Sequence, residues 1–151
     1  MAMLYDAELD LSGLDAVLAS RGLGPGGAVQ KFVDSEVIRY CDPKVPFRTG
    51  TLKNSALTAS SIGLGLIVYA APYAHYLYAG EVYGPNIPVF SGGQLTGFIS
   101  PPGKAKHPTG RALSYTGAPE RGDHWFERAM AEHGADIVRG AALLAGGRAE
   151  L

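Results

Sequence analysis

The chain has 151 residues, of which 46% are apolar and 18% charged, enough for one domain with a hydrophobic core and too few to expect two. Its formal net charge of -1 argues against a sequence-reading DNA-binding domain, which normally carries a marked basic excess. A single cysteine, Cys41, excludes an internal disulfide and a cysteine zinc site, and we expect it to be a half-buried helix residue.

The N-terminal part of the chain predicts one strand and two helices. "MLYDAELDL", residues 3–11, alternates apolar and polar side chains as a half-buried strand does. It carries acids where a signal peptide needs bases, and no apolar run approaches the roughly 18 residues of a membrane span, so we expect a soluble protein made in the cytoplasm. Ser12 is placed to cap a helix over residues 13–20. After "RGLGPGG", one apolar stripe predicts a helix over residues 28–41, which the following prolines end.

The middle of the chain predicts short elements and then a long arm. "VPFRTGTLKNSA", residues 45–56, indicates a turn followed by a short helical or extended piece. "ALTASSIGLGLIVYAA", residues 56–71, predicts two short strands around its glycines, and "PYAHYLYAG", residues 72–80, an aromatic-rich turn of helix. Residues 84–122 are dense in glycine and proline, with one possible hairpin of "IPVF" against "GFIS" across "SGGQLT". A loop of this length is usually functional or disordered, and we expect an arm that becomes ordered on a neighbouring subunit.

The C-terminal part predicts a long amphipathic helix that starts at His124, with Asp123 as its N-cap, and ends near Leu144. Residues 145–151 are expected to be a flexible tail. The helical periodicity places one set of side chains on the core-facing side: Trp125, Phe126, Ala129, Met130 and Ile137.

We predict that the histidines of this helix do not form a metal site. His124 and His133 are nine residues apart and point in nearly opposite directions, so they cannot share a metal ion. His133 is expected to be a hydrogen-bonded core or interface histidine. Because no set of acids, bases or ligands can be assembled elsewhere, we predict no catalytic residues, no metal, no cofactor and no enzymatic activity.

Charges are segregated along the chain. Residues 43–119 contain six bases and one acid, residues 1–42 seven acids and three bases, and residues 120–151 six acids and four bases. Such polarity suits head-to-tail pairing of subunits, or a basic loop against nucleic acid or an acidic partner; scattered surface charge is the simpler alternative. Four nearby tyrosines between residues 73 and 83 could stack bases, or form an aromatic edge of the core or of a subunit interface.

Three segments, in this order, resemble the minor capsid or head-tail joining proteins of long-tailed bacteriophages, a group similar to the tail-completion and tail-terminator proteins. They are "VPFRTGTLKNSA", "YAAPYAHYLYAGEVYGP" and "GRALSYTGAPERGDHWFERAMAEH", and they span residues 45–133. Arg48, Thr49, Gly50 and Leu52 match the family's D/R-T-G-x-L turn, in which Thr49 or Thr51 can cap the next element. Pro72, Tyr73, Ala74, Tyr76 and Gly80 match its "PYA-x-Y" segment, and Trp125, Phe126 and Ala129 match the start of its C-terminal helix.

The resemblance implies an α+β fold, in which a small antiparallel sheet is packed by the helix at residues 28–41 and by the C-terminal helix. It implies a structural virion protein at the head-tail junction, as connector, stopper or tail terminator. Six copies, with twelve as the alternative, would form a ring between neck and tail-tube proteins, and packaged DNA would pass through its channel without sequence-specific binding. No membrane is involved.

Two sets of residues are hypothesised to serve this ring. The inter-subunit set consists of Tyr73, Tyr76, Tyr78, Tyr83, Phe90 and Phe98. The set facing DNA or an acidic partner consists of Lys104, Lys106 and Arg111. A small nucleic-acid-binding module that uses the basic middle segment and the tyrosines is the alternative function.

Overall fold

The computed structural model describes Glu8 and residues 10–150. Most of the strand predicted at residues 3–11 therefore lies outside the described residues. The helices are α1 Leu14–Ser20, α2 Ala28–Cys41, α3 Thr51–Ala59, α4 Ala74–Ala79 and α5 Trp125–Leu144, and the strands are β1 Glu81–Gly84, β2 Ile87–Ser91, β3 Gln94–Ile99 and β4 His107–Ala112. The α+β class is confirmed.

Helix α2 has the predicted bounds, and it packs along α5. Close approach is possible at Gly140, where a Cβ atom would lie 2.5 Å from Cζ of Phe32. Further along, Tyr40 of α2 stacks on His133 of α5 with ring centroids 4.1 Å apart and planes 12° apart. His133 is thus a half-buried residue at the edge of the helix pair, and the pair forms the frame on which the other segments pack.

The core is centred on Trp125, which is 2% exposed and contacts the rings of Tyr69 and Tyr78 edge-on at 5.3 and 4.6 Å. Cys41 is also 2% exposed, deeper than the half-buried position expected. The same buried cluster contains small and branched side chains from every segment that carries the family resemblance: Val45, Leu52, Ala71, Ala74 and Ala129. The three segments are therefore joined by packing in one hydrophobic core.

The prediction that Phe126 belongs to the core was wrong, since this residue is 45% exposed. The other predicted positions are confirmed: Trp125, Ala129 and Ile137 are buried, and Met130 packs against the core. Successive residues on a helix point about 100° apart. Because Trp125 occupies the core position at the start of α5, its neighbour is directed towards the surface.

Side-chain caps were predicted wrongly at three helix starts. Helix α1 starts after Gly13, and Ser12 donates its backbone N–H to the Asp10 carboxylate instead of capping. Helix α3 starts after the left-handed Gly50, while the hydroxyls of Thr49 and Thr51 pair with each other at 2.9 Å.

The third wrong cap is at α5, whose N-cap is His124 in a left-handed conformation, with φ of 40°. Its backbone N–H donates to the carbonyl oxygen of Tyr78 at 3.1 Å. Asp123 instead lies against Gly80, where its carboxylate leaves no room for a Cβ atom. The contact between α4 and α5 therefore overrides the local capping preference.

The two strands predicted around Gly63 and Gly65 are absent from the described residues. Helix α3 continues to Ala59, and a tight turn follows, closed by an isolated bridge between Ser61 and Leu66. Both glycines have positive φ, 103° and 72°, a conformation that costs other residues free energy. This prediction was wrong because the turn is held by the carboxylate of a distant residue of α2, Asp34.

The strands form two separate two-stranded antiparallel sheets, β1 with β4 and β2 with β3, where one small sheet was expected. The β2–β3 hairpin pairs the two predicted runs, with Ile87 opposite Ile99 and Pro88 opposite Phe98, but its strands continue to Ser91 and Gln94, through most of the expected six-residue loop. Its turn consists of Gly92 and Gly93, both with positive φ, as the favoured two-residue hairpin turn requires. The β1–β4 ladder was not predicted, because β4 reads "HPTGRA", in which only Thr109 is of a type enriched in strands.

The end of the arm is fastened to the loop between α2 and α3. The backbone N–H of Gly122 donates to the carbonyl of Lys44 at 2.9 Å, and the Arg121 guanidinium donates to the carbonyl of Val45 at 2.5 Å. The Lys44 ammonium is buried and donates to Glu132 on α5 at 2.6 Å. Arg128 donates to the carbonyl of Glu120 at 3.2 Å. Two chain segments far apart in sequence are therefore locked together beside the start of α5.

Candidate subunit interface

The β2–β3 hairpin, residues 87–99, exposes an unusual amount of apolar surface, and we call it the apolar hairpin. Phe90 and Phe98 are 62% and 63% exposed, respectively. Ile87, Leu95 and Ile99 are also exposed. Contiguous exposed apolar surface of this kind marks interaction sites in soluble proteins.

The apolar residues lie on both faces of the hairpin. The Ile87–Ile99 pair is followed by the Pro88–Phe98 pair, and successive pairs in a ladder point to opposite faces. Beyond a register irregularity after Val89, Phe90 pairs with Leu95 near the tip. An isolated two-stranded hairpin is marginally stable in water and gains stability when it packs against another surface. The apolar hairpin therefore has the properties of an element that a partner covers.

The base of the apolar hairpin is held by Lys106, one of the residues predicted to face DNA or a partner. Its ammonium donates to the carbonyl of Pro85 at 2.7 Å and to Oδ1 of Asn86 at 2.5 Å. The Asn86 amide in turn donates to the carbonyl of Tyr83 at 2.7 Å. Lys104 and Arg111 are exposed. The structure thus gives Lys106 an internal contact and leaves Lys104 and Arg111 at the surface.

The four predicted interface tyrosines have different positions. Tyr76 and Tyr83 contact each other with ring centroids 4.9 Å apart, and His75 lies against both rings. Tyr73 is 43% exposed. These side chains surround the base of the apolar hairpin, where they link α4 to β1.

Tyr78 packs on the core instead. Its ring lies edge-on to Trp125, and its hydroxyl donates to the Glu127 carboxylate. Burial, together with the hydrogen bond to Glu127, raises the pKa of the Tyr78 hydroxyl, and that hydrogen bond lowers the pKa of Glu127. The pair therefore joins α4 to α5 as a neutral phenol and a charged carboxylate.

A groove of about 620 Å³ lies between α2, α4, the residues after the tight turn and the start of α5, and we call it the α2–α4 groove. Its walls are mainly apolar and include Val33, Val37, Leu66, Tyr69, Trp125 and Phe126. Leu66 and Phe126 are exposed. The groove could not be predicted from the sequence, because its walls come from four segments that only the fold brings together. The one local signal was Phe126, on the predicted apolar face of α5.

A second cleft, of about 740 Å³, lies at the turn of the "VPFRTG" segment. Its lining includes Arg48, Thr49 and Thr51, together with Tyr73 and Tyr115. The Tyr115 hydroxyl donates to the carbonyl of Leu77, and burial raises the pKa of this hydroxyl to about 12. This cleft is more polar than the α2–α4 groove, and the Tyr115 hydroxyl in its lining is occupied by the Leu77 carbonyl.

Within Glu8 and residues 10–150, no group of three or more histidine, cysteine, aspartate or glutamate side chains is arranged to hold a metal ion. In the same part of the chain, no helix combines the length and the apolar character needed to cross a membrane. Comparison of the chain with known protein families, with curated proteins and with solved structures finds no match.

Proposed function

We propose that the protein is a structural component of the neck of a long-tailed bacteriophage, where its copies form a ring between the DNA-filled head and the tail. The observation that carries the proposal is the apolar hairpin, whose Phe90 and Phe98 are exposed in the single chain. The resemblance of three segments to head-tail joining proteins is the reason for assigning the protein to the neck. Their packing in one hydrophobic core supports the view that these segments form one structural unit.

The charged residues near the core support an architectural role over a catalytic one. Asp34, Lys44 and Arg121 each bind backbone atoms or an opposite charge from another segment. In an active site, a buried ionisable group typically faces a cleft with its reactive atom available. Here these groups hold segments of the chain in place: Asp34 lines the α2–α4 groove, but both of its carboxylate oxygens are occupied by Gln30, Gly63 and Gly65.

Exposed Lys104 and Arg111 favour one alternative, a nucleic-acid-binding module. They belong to residues 84–112, which contain three bases and no acid. Base stacking needs exposed aromatic faces, however, and Tyr76, Tyr78 and Tyr83 are engaged with neighbouring rings. In the ring, the same cations suit contact with packaged DNA or with an acidic neighbouring ring.

The test is electron microscopy of a lysate from the parent phage with this gene deleted. Full heads and separate, unjoined tails are the expected result, and abnormally long tails would assign the protein to the terminator position. Plasmid-borne wild-type protein should restore joined virions in the control lysate. Intact infectious virions from the deletion would overturn the proposal, and salt-dependent DNA binding by the purified protein would then support the alternative.

A further inference from the structure

The cleft of about 740 Å³ at the turn of the "VPFRTG" segment, which we call the Arg48 cleft, has a positively charged lining. All of its lining residues lie within residues 46–116. They belong to the basic middle of the chain, residues 43–119, which contains six bases and one acid. Arg48 carries the single charge among the described residues that line the cleft, so the lining attracts anions.

The Arg48 guanidinium is exposed and makes no hydrogen bond or ion pair with any other described residue. Nearby cations differ in this respect, since Lys53 forms an ion pair with Asp42 at 2.8 Å and Arg121 donates to the carbonyl of Val45. A guanidinium presents five N–H donors in a planar fork that matches the oxygens of a phosphate group. In the Arg48 cleft, these donors are available to an anion from outside the chain.

A second positive charge lies beside the cleft. The Arg121 guanidinium is 5.0 Å from the centroid of the Phe47 ring, and Phe47 lines the cleft. Arg121 donates to the carbonyl oxygens of Asp42 and Val45, and no carboxylate in the described part of the chain lies within ion-pair distance of it. Its charge therefore adds to the attraction that Arg48 exerts on an anion.

Hydroxyl groups supply further donors at the Arg48 cleft. The hydroxyls of Thr49 and Thr51 bind each other at 2.9 Å, and the hydroxyl that accepts in this pair keeps its own hydrogen for a ligand. Ser114 and Thr116 also line the cleft, and both are exposed. A phosphate dianion accepts hydrogen bonds and donates none. A guanidinium and several hydroxyls around one cleft therefore match its needs.

Two exposed aromatic rings lie at the same cleft. Phe47 is 47% exposed and Tyr73 is 43% exposed, and both line the cleft. Phe47 has the Arg121 guanidinium over its ring, whereas the ring of Tyr73 contacts no other aromatic ring or cation among the described residues. Exposed aromatic faces are suited to stacking on nucleobases. The volume of about 740 Å³ lies in the range of roughly 300–1,000 Å³ that accommodates small organic ligands.

We propose that the Arg48 cleft binds a nucleotide, with the phosphate held by Arg48 and the neighbouring hydroxyls and the base stacked on the ring of Tyr73. A bare phosphate would make no use of the exposed ring, and an apolar ligand would make no use of the guanidinium. A free nucleotide and a nucleotide within single-stranded DNA share this chemistry, because both present a phosphate beside a base. The site is separate from the apolar hairpin, so it stands or falls independently of the neck assignment.

The test is isothermal titration calorimetry of the full chain with thymidine 5′-monophosphate at low ionic strength. Thymidine and inorganic phosphate are titrated separately, since the first lacks the phosphate and the second lacks the base. We expect the monophosphate to bind roughly tenfold or more tightly than either fragment, because it makes both sets of contacts. Equal affinity for thymidine would overturn the role of Arg48, and equal affinity for inorganic phosphate would overturn the role of Tyr73.

Matched variants locate the binding. Arg48→Gln should weaken binding of the monophosphate by roughly tenfold or more, because a charge-assisted contact to the phosphate is lost. Arg111→Gln is the control, since Arg111 is also exposed and does not line the cleft; it should bind as the wild type does. Tyr73→Leu should weaken binding of the monophosphate and leave that of inorganic phosphate unchanged. Equal affinities of the two arginine variants would overturn the site, and circular dichroism checks that each variant is folded.

A second titration distinguishes the two sources of the nucleotide. It uses an oligothymidylate of about ten nucleotides, a length within the range that single-strand-binding folds cover. Tight binding that Arg48→Gln abolishes would identify single-stranded DNA as the ligand, whereas binding of the monophosphate alone would identify a free nucleotide. Failure of both probes to bind would overturn the proposal and leave the neck assignment untouched.

Discussion

The carboxylate of Asp34 on α2 accepts a 2.7 Å hydrogen bond from the backbone N–H of Gly63, 29 residues further along the chain. The same oxygen accepts a second bond from the N–H of Gly65 at 3.1 Å, and the other oxygen accepts one from the Gln30 amide at 2.7 Å. Asp34 is 3% exposed, so these bonds satisfy a carboxylate that is removed from water. They also hold the tight turn that precedes Leu66 at the edge of the α2–α4 groove.

We predict that Asp34→Asn lowers the free energy of unfolding at pH 7 by about 1–3 kcal/mol, because an amide replaces a charged acceptor that binds two backbone donors. Urea denaturation followed by circular dichroism measures the change. Asp15→Asn, at an exposed position of α1, is the control and should change stability by less than about 0.5 kcal/mol. Equal stability of the Asp34 variant and the wild type would contradict the prediction.

The effect of Asp34→Asn should depend on pH. Burial raises the pKa of Asp34, but the hydrogen bonds from Gly63, Gln30 and Gly65 outweigh it and hold the pKa below the usual value. A carboxylate with a depressed pKa in the folded state contributes its stability fully above the unfolded-state value of about 3.9 and loses it as the pH falls through the folded-state value. The difference between wild type and variant should therefore be constant from about pH 5 upwards and shrink below about pH 4. A difference that grew on acidification would contradict this assignment.

Two glycines of α5 offer a matched pair of substitutions. At Gly134 a Cβ atom would have its nearest contact at 3.9 Å, whereas at Gly140 it would lie 2.5 Å from the Phe32 ring. We predict that Gly134→Ala stabilises the protein by up to about 1 kcal/mol through helix propensity. Gly140→Ala should lose this gain and become destabilising, because overpacking a helix contact costs about 1–3 kcal/mol. Thermal unfolding of both variants is the measurement, and equal melting temperatures would show that α2 and α5 are not in close contact at Gly140.

Exposed phenylalanines on the apolar hairpin should matter for assembly and not for folding. We predict that Phe90→Ser combined with Phe98→Ser reduces self-association at least tenfold and changes the free energy of unfolding by less than about 0.5 kcal/mol per site, as exposed substitutions do. Deletion of residues 91–97 should have the same effect. Analytical ultracentrifugation measures association, and Leu57→Ser, on an exposed face of α3, is the control. Unchanged association of the double variant would count against the hairpin as an interface.

Lys106 and Lys104 should differ in their effect on the apolar hairpin. Lys106 bonds Pro85 and Asn86, so Lys106→Ala should loosen the hairpin base by about 1 kcal/mol, which corresponds to roughly fivefold faster hydrogen exchange through local opening. Lys104→Ala, at an exposed position, should leave exchange unchanged. Hydrogen exchange of residues 87–99 followed by mass spectrometry distinguishes the two variants, and equal protection in both would show that Lys106 does not hold the base.

Elements whose signal is local could be predicted. The apolar stripe of residues 28–41 predicts α2, and α5 follows from the periodicity that starts at Trp125, because a helix buries one face at 3.6-residue spacing. The pairing of the hairpin follows from two short apolar runs, whereas its tight turn at Gly92 and Gly93, inside the expected loop "SGGQLT", was not predicted. In each case the information lies within a single short stretch of the chain.

Features that depend on distant partners could not be predicted in this way. Asp34 converts an apparent pair of strands into a tight turn, and the contact between Gly80 and Asp123 displaces the expected cap of α5. Strand β4 forms although its residues disfavour strands, since Thr109 donates to the carbonyl of Val82 and the N–H of Gly110 to the Glu81 carboxylate. Such hydrogen bonds override propensities worth only about 1 kcal/mol.

By itself, the sequence determined the α+β class, the two long helices, the pairing of the hairpin and the three segments that resemble head-tail joining proteins, because composition and periodicity act over neighbouring residues. Tertiary structure alone decided that these segments share one hydrophobic core, that Phe126 lines a groove, and that Lys106 fastens the base of the hairpin. Those relationships join residues from separate parts of the chain, and packing in three dimensions establishes them after the local elements have formed.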